Sequence, residues 1–115
     1  MTTIAKGARH VTFIDVFMVE PIDQQRLVDL LTEVADSFAR TAPGFVSGGL
    51  HRSLDGTKVT MYAQWRTMED YDAMPKDPTR AALIREAHAI ACADPIAYEV
   101  VETFAPPAGR RRASA

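Results

Sequence analysis

Cysteine occurs once in these 115 residues, as Cys92. A single cysteine excludes an intrachain disulfide and a cysteine-clustered metal site. No apolar run approaches the length of a membrane helix. Residues 1–10 are polar and lack the apolar core of a secretory leader. With no disulfide and no leader, the expected compartment is the cytoplasm, with no membrane partner. Neither sign of charge dominates: 13 Lys and Arg face 15 Asp and Glu, a net charge of -2. A nearly neutral chain lacks the basic face that a phosphate backbone requires, so no nucleic-acid partner is expected. Glycine-rich phosphate loops are absent, and Gly44-Phe45-Val46-Ser47-Gly48 does not have nucleophile-elbow spacing. None of His10, His51 and His88 pairs with another at metal-ligand spacing. No metal site and no nucleotide, flavin or nicotinamide site is expected.

What is present is ordinary for a globular domain: 47% apolar and 24% charged residues. The length fits one domain with one modest core. Composition changes only in the tail, Ala105 to Ala115. We therefore divide the chain into an N-terminal extension (1–10), a domain (11–104) and a basic tail (105–115) that contains Arg110, Arg111 and Arg112.

Val11 to Val19 is β-branched and aromatic, and Pro21 closes it, which predicts a strand. Leu27, Leu30, Leu31, Val34 and Phe38 recur at three- and four-residue spacing, which predicts a helix over 23–40 capped by Asp23. Phe45 to Ser53 and Thr57 to Arg66 read as strands joined by a tight turn at Asp55-Gly56. Gly48-Gly49 within the first of them marks a bulge or a close backbone approach. Thr67 caps a short helix to Ala73, an alanine-rich helix spans 79–91, and a last strand spans 96–104. The order β-α-β-β-α-β is the ferredoxin-like α+β arrangement, an antiparallel sheet with helices on one face.

The first strand is apolar on both faces. One carries Val11, Phe13, Asp15, Phe17 and Val19; the other carries Thr12, Ile14, Val16 and Met18. Helices on one side cannot cover both. A second copy packed sheet to sheet would, so a homodimer is expected.

Asp15 stands between two phenylalanines. It is either a carboxylate satisfied by a nearby donor or by water at a strand end, or a general base in a cavity. Trp65 shares a strand face with Val59, Met61 and Ala63. Its indole is either core or a hydrogen-bond donor beside a void that Ala63 leaves. Arg85, on the last helix, is either solvated or reaches an anion from a pocket rim. His51 lies on a strand. His88, on a helix, is the better candidate for an axial or acid-base role.

These residues carry a resemblance. Val11-Thr12-Phe13-Ile14-Asp15-Val16-Phe17, the Ala42-Pro43-Gly44-Phe45-Val46-Ser47 entry to the second strand, Asp55-Gly56-Thr57 at the hairpin, Tyr62-Ala63-Gln64-Trp65 followed by Tyr71, and Leu83-Ile84-Arg85-Glu86-Ala87 together resemble the antibiotic biosynthesis monooxygenase family. Within that family the likeness is to small cofactor-free anthrone oxygenases of aromatic polyketide pathways. The resemblance implies a dimeric α+β barrel with a pocket between sheet and helices. It implies that Trp65, Tyr71 and Arg85 line the pocket or assist the chemistry there. Our reading adds Asp15 as a catalytic base or acceptor and expects substrate contacts from Phe13, Phe17, Met61, His51 and His88. Asp15 stands where some members carry a cavity asparagine. One position departs from the pattern: Met61 stands where such oxygenases often have an asparagine, four residues before the tryptophan.

The implied reaction needs O2 and an aromatic polycycle but no cofactor. An anthrone-like substrate loses a proton, its carbanion reduces O2, and a peroxide collapses to a quinone. Three alternatives remain at this level. The chain could be a cyclase using the same pocket for proton transfer, a small-molecule-binding or stress protein, or a haem-degrading relative with His88 as axial ligand.

Overall fold

A computed structural model describes residues 10–74, 76–94 and 96–107. The N-terminal extension before His10 and the arginines at 110–112 lie outside the described residues. Strands β1 (Val11–Val19), β2 (Phe45–Arg52) and β3 (Lys58–Trp65) form an antiparallel sheet with two short strands, β4 (Ala91–Cys92) and β5 (Ala97–Tyr98). The strand order is β2-β3-β1-β4, and β5 also pairs with β1. This is the ferredoxin-like α+β order expected from the sequence. Helices α1 (Gln24–Val34), α2 (Met68–Asp72) and α3 (Pro78–Ile90) complete the fold.

Four expectations need correction. The first helix is α-helical only to Val34 and continues as a π-helical turn, Ala35–Ala39, in which the Arg40 amide bonds to the Ala35 carbonyl at 2.9 Å. A wider turn advances the helix phase by about one residue. Ala39, rather than Phe38, therefore packs against the core. At the other end of the helix, Asp23 holds the capping position but its side chain makes no capping bond. The anchor there is the buried Gln24, whose Nε2 donates to the carbonyls of Ser53 (3.0 Å) and Lys58 (3.1 Å) and ties α1 to the hairpin.

The last strand is not continuous from 96 to 104. It is two pairs of residues, matched to opposite ends of β1: Val19 with Ala91 and Met18 with Cys92, then Thr12 with Tyr98 and Phe13 with Ala97. The break falls where the sequence has Pro95, which has no N–H to give a ladder.

The hairpin is wider than a two-residue turn. Only Gly56 is left-handed (φ +84°), and Asp55 is not. Asp55 instead accepts from the Thr57 hydroxyl (2.7 Å), the Thr57 amide (3.0 Å) and the Ser53 hydroxyl (2.8 Å). The Thr57 bonds above all lower its carboxyl to about 2.

Gly44 turns the chain into β2. Its φ is +88°, and a Cβ there would lie 2.4 Å from the Asp70 side chain. Both effects disfavour any other residue at this entry. Gly44→Ala is expected to lower stability by about 1–3 kcal/mol. Urea unfolding checks this, and a midpoint equal to wild type would contradict it.

Two apolar clusters fill the space between sheet and helices. The larger contains Phe17, Leu27, Leu30, Leu31, Val59 and Ala87. The smaller is aromatic: Phe13, Trp65 and Met74, with Phe45 and Tyr71 against it.

Candidate active site

The seam between the two clusters is built from small residues. Gly48 and Gly49 on β2, Ala63 on β3, Ala35 and Ala39 on the π turn and Ala81 on α3 leave it unfilled. Gly48 passes so close to the Tyr62 carbonyl that a Cβ would lie 2.8 Å from it. This is the close approach that Gly48-Gly49 signals. The bulge itself comes earlier, at Val46, between the Phe45 and Ser47 pairings. The result is a cavity of about 720 Å³ walled by both clusters, a volume typical of sites for drug-sized molecules.

β1 and β3 supply the floor. Their register sets Phe13 opposite Ala63, Asp15 opposite Met61 and Phe17 opposite Val59. Phe13, Asp15, Phe17, Met61 and Trp65 all line the cavity, as do Tyr71, Arg85 and His88. The fold therefore brings together eight of the nine residues singled out in the sequence. His51 is the exception. It pairs with Thr60, on the face away from the helices, and does not line the cavity.

An aromatic wall stands at one end. Tyr71 stacks on Phe13 with ring centroids 4.1 Å apart. Trp65 meets Tyr71 edge-on at 5.7 Å and Phe45 edge-on at 5.4 Å. These contacts fix a tryptophan that is only 2% exposed. At the other end His88 lies 6.1 Å from the Phe17 ring.

Asp15 is the carboxylate of the floor. Burial raises its pKa above the ordinary 3.8, and a backbone hydrogen bond from Ile96 partly opposes the rise. That amide is available because the last strand breaks beside Asp15. The carboxyl Oδ1 is buried with no hydrogen-bond partner among the described residues. A desolvated carboxylate with a free oxygen is a stronger base than one in water. The Tyr71 hydroxyl is also pushed up, first by burial and then by the Asp15 charge, against an opposing pull from Arg80. Tyr71 thus stays a neutral donor near a carboxylate.

Several further residues line the cavity that the sequence did not mark as site residues. Arg80, Met74, Phe45 and Ile84 line the cavity, as does the Arg40–Asp36 ion pair (3.2 Å) on the π turn. A pattern argument could have marked Arg80, because a cation in the first turn of a helix opposes the helix dipole. Arg85 is exposed and lies at the cavity edge. No group of three His, Cys, Asp or Glu among the described residues could hold a metal ion. No helix among them is long and apolar enough to cross a membrane.

The model of the antibiotic biosynthesis monooxygenase family matches residues 11–86. The chain belongs to that family. It is 38% identical over 104 residues to tetracenomycin-F1 monooxygenase of Streptomyces glaucescens, spanning 90% of this chain and 93% of that one. The ActVA-Orf6 monooxygenase of Streptomyces coelicolor, solved with nanaomycin D, superposes with a TM-score of 0.72 at 27% identity over 87% of this chain and 95% of that one. An asparagine-to-alanine mutant of SnoaB, a cofactor-independent oxygenase from Streptomyces nogalater, shares the fold, with a TM-score of 0.71 and 23% identity over 84% and 98% of the two chains. The family membership and the match to a monooxygenase over nearly the full length of both chains make this antibiotic biosynthesis monooxygenase family member an oxygenase.

Proposed function

We propose that this enzyme oxidises an anthrone-like or phenolic polycyclic aromatic polyketide intermediate to a quinone, using O2 and no cofactor. The observation that carries the reading is the Asp15–Met61 register on the cavity floor. Side chains directly opposite on neighbouring strands lie about 5 Å apart. The polar group that the family resemblance leads one to expect at the Met61 position would then be supplied by a carboxylate one strand over, on the same face.

The chemistry follows from these groups. Asp15 removes a proton from the activated methylene. The electron-rich carbanion passes one electron to O2, and the radical pair joins to a peroxide. Loss of water leaves the carbonyl, so one methylene and one O2 give one quinone carbonyl and one water. Trp65 and Tyr71 donate to oxygens that gain negative charge, and Arg85 stabilises the anion from the cavity edge. Phe13, Phe17, Met61 and His88 hold the rings. An apolar wall keeps the carbanion from water.

Two further elements belong to this reading. The enzyme acts as a homodimer, joined through the sheet face away from the helices. Val16 (41% exposed) and Met18 (60% exposed) leave that face apolar and uncovered. It works in the cytoplasm, consistent with its single cysteine.

The test is oxygen uptake by metal-stripped protein with dithranol, corrected for autoxidation. Uptake above background is expected, with one atom of labelled oxygen from 18O2 in the quinone. Binding of dithranol without uptake would overturn the oxygenase reading in favour of a cyclase or a binding protein.

A further inference from the structure

Arg80 lines the cavity, and the proposed chemistry gives it no role. Its Nε is buried and has no hydrogen-bond partner among the described residues. No carboxylate pairs with it among the salt bridges of those residues. It sits in the first turn of α3, after the capping Asp77 and Pro78, where the helix dipole disfavours a cation. Arg80 is half-buried, and a buried guanidinium nitrogen left without an acceptor is unfavourable.

The other charges around the cavity do not relieve it. Asp36 is taken by Arg40 at 3.2 Å. Asp15 lines the same cavity with its own Oδ1 unpaired, yet it forms no ion pair with Arg80 among the described residues. Arg85 and His88, further along α3, add no negative charge. A guanidinium and a carboxylate thus line one cavity without an ion pair between them among the described residues. Such a pair is arranged for a ligand that supplies an anion to one and a proton to the other.

We propose that Arg80 binds an anionic group of the substrate, a ring carboxylate or an ionised phenol, while Asp15 faces the carbon that loses its proton. The planar fork of a guanidinium matches such a group through two parallel hydrogen bonds. The substrate class is therefore an acidic aromatic polycycle, oriented by charge rather than by shape alone. This assignment rests on the cavity being the substrate site of the proposed oxygenase.

Trp65, the sole tryptophan, lines the cavity and reports binding without turnover. Its fluorescence is titrated with anthraquinone-2-carboxylate and with the neutral anthraquinone-2-carboxamide. Wild type is expected to prefer the carboxylate by about tenfold or more, the scale of a charge-assisted hydrogen bond. Arg80→Gln should lose that preference through weaker carboxylate binding alone, and Arg80→Lys should keep part of it. A merely structural arginine would lower the melting temperature of Arg80→Gln and weaken both ligands alike, which would overturn the assignment. So would a wild type without preference, or a preference that survives Arg80→Gln and vanishes in Arg85→Gln. Oxygen uptake with neutral dithranol is measured on the same samples. A carboxylate preference that follows Arg80 without uptake would sink the oxygenase reading and leave the anion site standing. Uptake with a preference indifferent to Arg80 would do the reverse.

Discussion

Asp15→Asn is expected to lower turnover of an anthrone by about 10²–10⁴-fold, the usual contribution of a positioned general base. The substitution keeps the shape of the side chain and an oxygen for the Ile96 amide, so the loss reads the proton transfer itself. The pH dependence supplies a second signature. Burial first, less the Ile96 bond, holds the folded carboxyl above its ordinary 3.8. The base is active only when ionised, so the acidic limb of the wild-type rate profile lies above that value, and the variant has no such limb. Stability moves the other way. The folded chain keeps the Asp15 proton to higher pH than the unfolded chain does. Stability therefore falls as pH rises from about 3.8 through the raised value and stays lower above it. Asparagine removes that penalty, so the variant should melt higher than wild type at pH 7. Turnover within tenfold of wild type would remove Asp15 from the proton transfer.

Trp65 separates architecture from chemistry. Trp65→Ala empties the centre of the aromatic cluster and should cost about 3–5 kcal/mol, a large part of the 5–15 kcal/mol that a typical domain has. The variant is expected to be largely unfolded or aggregated at 37 °C. Trp65→Phe keeps edge contacts toward Phe45 and Tyr71 but has no N–H. It should remain folded, by circular dichroism, and turn over about ten- to hundredfold more slowly, the loss of one donor to a developing charge. Unchanged turnover in the phenylalanine variant would exclude the indole N–H from the reaction.

Much of the fold was legible because burial is periodic. The β1 limits, the α1 stripe up to Val34 and the paired strands β2 and β3 all follow from alternation or three-and-four spacing. Asp15 stood out because a carboxylate between Phe13 and Phe17 breaks that alternation. What was not legible came from single-residue shifts of phase. Strict alternation from Phe45 would put His51 on the cavity side. The extra residue at Val46 reverses every later side chain, so Leu50 points in and His51 points away. The π turn does the same to Phe38 and Ala39. The split of the last strand was hidden because Ile96 to Phe104 keeps a strand-like composition while only 97–98 find a partner. Arg80 escaped notice because an arginine on a helix is ordinarily solvated, and only its missing partner makes it informative.

The π turn has a consequence for how the cavity can change over evolutionary time. It spends one residue more than an α turn, and three of its own residues, Ala35, Asp36 and Ala39, form part of the wall with the adjoining Arg40. Deleting one residue there would restore α spacing without disturbing the hydrogen bonds of α1 or the left-handed entry at Gly44. It would swing a different set of side chains toward the ligand. The outline of this wall is thus governed by chain length at one point, and a single codon gained or lost could alter which molecules fit while the catalytic floor on β1 and β3 stays as it is.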